Sequence, residues 1–420
     1  MTMRVEKRIM PACVVLRAPR LIDGLGNPAV ENAALVIVGG KIVAAGAAST
    51  IDVPTGDGVV IHDYPDCTLL PGLIDSHTHL TFSANDSALE DAIGDSDEAM
   101  TLRAAANAQA ELRCGVTTIR DCGGRGYLTL ALRDSILSGV TIGPRILASA
   151  MPITTTGGHL NFCGLEADGV PEVVKATRRL CKAGVDFIKV MATGGGMTPG
   201  TNSRAPQYTV EELAAIVAEA TRLGGRHVGA HCHATAGISN AVEAGITTIE
   251  HCSWLGPVEG HEFDPRVVAR MVEKGTYVCL TMGSERAAVK DANQLTEGQQ
   301  RAVASWDEHF DLLRRTIRGG VRFIASSDAG VSRTYFGEYP LTLEVMVSLL
   351  DIAPLETIHA TTGRAAEAIG IAGLVGALTA GRRGDVLLVE GDPLVDIRAM
   401  RRTRAVYRDG ALLVEDGKLV

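Results

Sequence analysis

The sequence predicts an α/β protein: a (β/α)8 TIM barrel with a small β-sandwich domain formed by both chain ends. Three observations carry this. Eight short apolar stretches recur near 73–80, 117–122, 145–150, 187–192, 227–233, 248–253, 277–282 and 322–328. Alanine-rich amphipathic patterns separate most of them, and alternating strand and helix is the signature of a parallel α/β fold. The two chain ends read as strands with no helix between them, and neither end has enough strands to form a stable layer alone.

Taken in order, residues 11–70 alternate apolar runs with turn signals: "ACVVLRAPRLID", "AALVIVGGKIVAAG" and "VVIHDYPDCTLLPG". "VGGK" predicts a hairpin turn. At "PGLIDSHTHL" the pattern changes to strand–helix alternation. The stretch "TVEELAAIVAEATRLGG" at 209–225 is a helix with both ends marked. Thr209 and Glu212 have the spacing of a capping box, and a glycine pair stops the helix. After residue 374 the chain turns β again, with "RDGAL" and "EDGKL" as turns between apolar runs. The expected domains are therefore a composite sandwich of 1–70 and 375–420, and a barrel of 71–374.

The chain is 46% hydrophobic and 21% charged, a composition that fills a globular core. A net charge of -9 argues against a nucleic-acid partner. No run of 18 apolar residues suggests a membrane span. The first apolar stretch is short and followed by arginine, which argues against a secretory signal. The nine cysteines are scattered singly, without a C-x-x-C pair, as suits reduced thiols in a cytoplasmic protein. A homo-oligomer is the expected assembly.

Barrel enzymes carry their chemistry at the C-terminal ends of the strands. There the first stretch has His77 and His79, the fourth Lys189, and the fifth His231 and His233. The sixth has Glu250 and His251, and the eighth has Asp328. Residues two apart on a strand share a face, so each H-x-H presents two imidazoles to one axis. Such a density of nitrogen and oxygen donors predicts divalent metal, zinc first. Lys189 lies in "FIKVMATGGG", where an unpaired buried ammonium would cost several kcal/mol. Deprotonated by desolvation and nearby positive charge, its amine can add carbon dioxide. The resulting carbamate is an anionic ligand suited to bridging two metals.

"PGLIDSHTHL", "FIKVMATGGG", "GAHCHA", "TTIEHCS" and "SSDAG", in that order, resemble the amidohydrolase superfamily over essentially the whole chain. The resemblance is to the prolidase-like and ochratoxinase-like branch. It implies a binuclear site, with His77, His79 and Asp328 on one metal and His231 and His251 on the other. A carbamate on Lys189 and a hydroxide would bridge them. The implied reaction is cleavage of an amide bond in a small molecule: a dipeptide, N-acyl amino acid or carbamoyl compound. Asp328 would shuttle the proton to the leaving amine.

Other groups have expected roles near this centre. His233 could contact substrate, support a ligand or simply pack. His159, in the glycine-flanked "TTTGGHLNFCG", could polarise a carbonyl or bind a carboxylate. Arg204 and Tyr208 could hold a product carboxylate. His62, His227, His261, His309 and His359 lie off the strand-end pattern and read as structural or surface groups. A lactonase or phosphotriesterase on the same metals is the competing activity. Deamination is disfavoured because "HCHATAG" carries no acid and Lys189 is present. A metal-free scaffold would show gaps in the ligand set. Specificity would lie in the loops at 81–97, 153–170, 193–208, 253–263, 283–300 and 329–337.

Overall fold

The structure, a computed structural model, describes residues 12–283, 285–286 and 306–420. The specificity loop expected at 283–300 therefore falls largely outside the described residues. The fold is mixed α/β. Five strands come first: β1 (Cys13–Leu21), β2 (Val30–Val38), β3 (Lys41–Ala47), β4 (Val59–Asp63) and β5 (Cys67–Pro71). The next ten are β6 (Leu73–Thr78), β7 (Val116–Asp121), β8 (Arg145–Ala148), β9 (Ile153–Thr154), β10 (Leu165–Glu166), β11 (Ile188–Met191), β12 (Val228–Ala234), β13 (Thr248–Leu255), β14 (Tyr277–Thr281) and β15 (Arg322–Ser326). Four more close the chain: β16 (Val386–Glu390), β17 (Thr403–Arg408), β18 (Ala411–Glu415) and β19 (Lys418–Leu419).

The first five and last four strands form one nine-stranded sheet, ordered β19-β18-β17-β16-β5-β1-β2-β3 with β4 on β1. Its two halves meet where β5 pairs antiparallel with β16, Pro71 opposite Val386 and Cys67 opposite Glu390. The hairpin turns sit where the dipeptides place them. Gly39-Gly40, Asp409-Gly410 and Asp416-Gly417 all have positive φ at both residues, the type I′ geometry that matches strand twist. Val14, Leu16, Leu35, Ile37, Leu69 and Leu388 bury one face, and the Tyr64 and Tyr407 hydroxyls share a buried bond of 2.8 Å.

The middle strands form two parallel sheets, β6-β7-β8 and β10-β9-β11-β12-β13-β14-β15. Backbone bonds tie their edges together. Asp328 N donates to His77 O and His79 N to Ala329 O, beside a parallel bridge between Thr78 and Ala329. At the other edge Asp186 N donates to Ala148 O. Each of the eight expected stretches contains a strand. β9 and β10, two residues each, were not expected. The first and eighth strands end at Thr78 and Ser326, earlier than the apolar pattern suggests. The chain bends there, and Asp328 adopts φ +60°.

Helices between the strands supply the outer layer. Val210–Arg222 carries the expected capping box, Thr209 Oγ1 accepting from Glu212 N while Glu212 accepts from Thr209 N. Its Leu213, Ile216 and Ala220 face the core. All nine cysteines are free thiols, and all but Cys181 are buried, behaving as small hydrophobes. Among the described residues no helix is long and apolar enough to cross a membrane.

Candidate metal centre

At the C-terminal ends of the parallel strands the side chains of β11, β12, β13 and the turns after β6 and β15 meet at one cavity of about 440 Å³. His77 Nε2 stands 3.3 Å from His79 Nε2, 3.4 Å from Lys189 Nζ and 3.4 Å from Asp328 Oδ1. His79 Nε2 is 3.5 Å from the same carboxylate oxygen. A second donor group, His231, His233 and His251, lies beside the first. His233, whose role the sequence left open, thus stands among the donors.

The protons of these rings follow from their outer partners. His79 Nδ1 donates to Gly123 O at 2.7 Å, since a carbonyl oxygen can only accept. His77 Nδ1 lies 2.8 Å from Glu250 Oε2. Burial alone would raise the Glu250 carboxyl, but Arg120, Lys189 and the His77 bond together hold it well below the usual range. An ionised carboxylate also only accepts, so His77 carries its proton on Nδ1. Both Nε2 atoms are then lone pairs, facing each other at 3.3 Å. Asp328 Oδ1, buried and without a hydrogen-bond partner, converges on them. Three electron-rich atoms within 3.5 Å of one another repel unless a proton or a metal cation stands among them. The donor set therefore fits a divalent metal.

The second group is oriented likewise. His231 Nε2 donates to Gly194 O at 3.2 Å, leaving Nδ1 as its lone pair. His251 Nδ1 pairs with Thr281 Oγ1 at 2.7 Å, and His233 Nδ1 with Ser253 Oγ at 2.8 Å. Burial, and then neighbouring positive charge, holds His77, His231 and His251 well below the usual imidazole value. Neutral rings are what a metal requires. The backbone is strained to place them: His251 has φ +68° and Asp328 φ +60°, costly for non-glycine residues. Lys189 is fully buried and, among the described residues, forms no ion pair. His77, Cys122 and Glu250 make a third possible donor group. That one is opposed by the Arg120 guanidinium beside Glu250 and by the Cys122 thiol, pushed up to about 12 by burial.

Asp75 was not anticipated. Fully buried, it accepts from His77 N and Ser327 N and pairs with Ser327 Oγ, so one carboxylate ties the end of β6 to the turn that carries Asp328. Asp328 itself is pushed up to about 7 by burial, with nearby carboxylates adding to it.

His159 lies at the same cavity. Its ring packs 4.5 Å from that of His231 and lines the cavity. A Cβ on Gly195 would come within 2.5 Å of the His159 ring, so glycine there lets loop and imidazole close together. Burial keeps His159 neutral, with its value pushed down to about 3, and its Nδ1 has no partner.

Arg204 and Tyr208 require correction. Arg204 Nη1 donates to the carbonyls of Gly256, Val258 and Gly260, bracing one loop with another. Tyr208 is buried, and its hydroxyl donates to Ala167 O at 2.8 Å. Neither lines the cavity. Two groups read as structural or surface do line it: His261, near Glu308, and His309, 3.9 Å from Glu285. They come from the segment after β13 and the first turn of the helix Asp307–Arg318, outside the strand-end pattern that found the others. Leu160, Met197, Leu255, Trp306 and Val331 add apolar wall.

Comparison with known proteins agrees with this geometry. Residues 68–413 match the model of the amidohydrolase family. The ochratoxinase of Aspergillus niger is 31% identical over 426 residues, spanning 93% of this chain and 84% of that one. Its crystal structure superposes with a TM-score of 0.82 at 28% identity, covering 96% of both chains. A Xaa-Pro dipeptidase with methionine bound in its active site superposes with a TM-score of 0.83 at 28% identity, covering 96% of this chain and all of that one. With its ordered motifs and converging donors, the chain belongs to the amidohydrolase family, in the prolidase- and ochratoxinase-like branch, and is a hydrolase.

Proposed function

We propose that this protein is a binuclear metal-dependent amidase whose substrate is a small amide, peptide-like or carbamoyl in character. The observation that carries the reading is the pair of imidazole lone pairs facing each other at 3.3 Å under an unpartnered carboxylate oxygen. His77, His79 and Asp328 would hold one cation, and His231 and His251 the other, with His233 beside them. Lys189 Nζ, on adding carbon dioxide with loss of a proton, would become a carbamate that offers anionic oxygen donors beside these residues. When bound, the two cations polarise the scissile carbonyl and acidify water.

The chain's own groups do the rest. Asp328 accepts a proton at its carboxylate and returns it to the leaving nitrogen, a task suited to a carboxyl near neutrality. Neutral His159 donates to the substrate's carbonyl or carboxylate oxygen. The two parallel sheets close into one barrel over 71–374, supported by the backbone bonds at their edges, and the nine-stranded sheet forms a domain from 1–70 and 375–420.

The apolar wall and the loss of Arg204 and Tyr208 from the cavity favour one competing activity, hydrolysis of neutral esters. A screen of zinc- and bicarbonate-loaded protein against dipeptides, N-acyl amino acids and matched esters separates the two. The amidase reading expects the best kcat/KM on an amide. Faster turnover of neutral esters than of any amide moves the protein to the lactonase class.

A further inference from the structure

Arg120 is among the largest fully buried side chains of the molecule, although it lies on β7 and touches no substrate-facing surface. Each nitrogen of its guanidinium donates to a buried oxygen. Nε donates to Ser76 O at 2.6 Å, Nη1 to Thr248 Oγ1 at 3.0 Å and Nη2 to Glu250 Oε1 at 2.7 Å. Thr248 Oγ1 donates to the same Glu250 oxygen at 2.6 Å. The other oxygen, Oε2, faces His77 Nδ1 at 2.8 Å. Glu250 thus has one oxygen claimed by two donors and one left for the imidazole.

We propose that Arg120 is a positioning residue that, acting through Glu250, sets the tautomer of His77 so that Nε2 is its lone pair. The inference rests on the metal reading of the site, because only that lone pair can take a cation beside His79 and Asp328. The chain of cause is short. Arg120 cannot lose its proton and has no acceptor atom. It therefore fixes which end of residue 250 must accept. With glutamate both ends accept, and His77 must place its proton on Nδ1. No net charge moves in this choice; one proton is located on one of two nitrogens.

The consequence is sharp for Glu250→Gln. Glutamine has one acceptor end and one donor end. Arg120 and Thr248 claim the carbonyl oxygen, so the amide NH2 faces His77 Nδ1. The imidazole must then accept there and carry its proton on Nε2, the nitrogen needed for metal. Removing the arginine as well, in Arg120→Met/Glu250→Gln, frees the amide to turn its oxygen toward His77. Thr248 Oγ1 can then accept from the amide. The double variant is expected to restore the tautomer that the single variant loses. Simple loss of packing would not produce that reversal.

The test is long-range 1H–15N correlation of the histidine rings in metal-free protein, with the His77 signal identified by its loss in His77→Gln. The wild type is expected Nδ1-protonated, Glu250→Gln Nε2-protonated, and Arg120→Met/Glu250→Gln Nδ1-protonated again. Zinc affinity, measured by chelator competition, should fall about ten- to a hundred-fold in the single variant, the usual effect of losing a ligand's outer partner, and recover in the double. If Glu250→Gln does not fold, Arg120→Met/Glu250→Leu replaces it, leaving His77 Nδ1 with no acceptor from residue 250. It should be Nε2-protonated where the Met/Gln double is not. An Nε2-protonated wild type, an unchanged tautomer in Glu250→Gln, or equal tautomers in the two double variants would overturn the inference. A wild type that shows the expected tautomers but takes up no zinc would instead overturn the metal reading and leave the positioning role standing.

Discussion

Lys189 Nζ lies 3.4 Å from His77 Nε2 in a site where the lysine has no exposed surface. An ammonium there faces the neutral imidazole of His77 and its neighbours and would repel any cation that they bound. Carboxylation reverses the sign of the charge. Electron density of the zinc-loaded protein is expected to show a forked carbamate on Lys189, within about 2.0–2.2 Å of two metals. A bare lysine in a fully metallated crystal removes the bridge from the mechanism.

Asp328→Asn is expected to fold and to lose roughly a hundred-fold or more in kcat, the scale of a positioned acid–base group. Steady-state kinetics on the best amide found in the screen would decide. Survival of kcat within about three-fold takes the proton shuttle away from Asp328.

His231→Ala should lose at least one metal on dialysis, whereas His233→Ala should keep both. The two rings sit in one donor group, but His231 is the more buried and has its Nε2 proton fixed by a carbonyl. Metal counting by elemental analysis checks this, and the reverse pattern would exchange the two assignments.

Arg204→Ala should leave the preference for a free carboxylate over its amide unchanged, because the guanidinium braces carbonyls at 256–260 and does not line the cavity. The free acid itself should remain about ten-fold or more the better substrate, held by His159 and the cavity imidazoles. The ratio of kcat/KM for the two substrates, compared between wild type and variant, is the measurement. A collapse of that ratio in the variant would show that Arg204 reaches the substrate.

Glu111, fully buried on the helix Asp97–Arg113, is pushed up to about 8 by burial, with Asp75 adding to it. Its carboxyl is therefore protonated in the folded chain over a range where the unfolded chain has lost the proton. Its contribution to stability is present below the ordinary carboxyl value near 4.5 and is lost as pH rises toward 8. Glu111→Gln should flatten that slope, by on the order of 1 kcal/mol or more between pH 5 and 8. Tm of both proteins across this range checks it, and parallel curves would place the slope elsewhere.

The sequence by itself determined the parts of this protein that local rules govern. Hairpins follow from Gly39-Gly40, Asp409-Gly410 and Asp416-Gly417, because few residues tolerate positive φ twice in succession. Strand alternation placed His77 with His79 and His231 with His233, and the capping box placed the helix that starts at Val210. What only the tertiary structure decided lies between elements distant in sequence. Asp75 tying the turn at Ser327, and Arg120 reaching Glu250 and through it His77, depend on contacts more than 70 residues apart, and His309 turns into the cavity from a helix outside the strand ends. Arg204 and Tyr208 stood near the motif in sequence yet found nearer acceptors in Gly256 and Ala167. A side chain's partner is chosen by which unsatisfied group packing brings within 3 Å, and no local pattern of the chain encodes that.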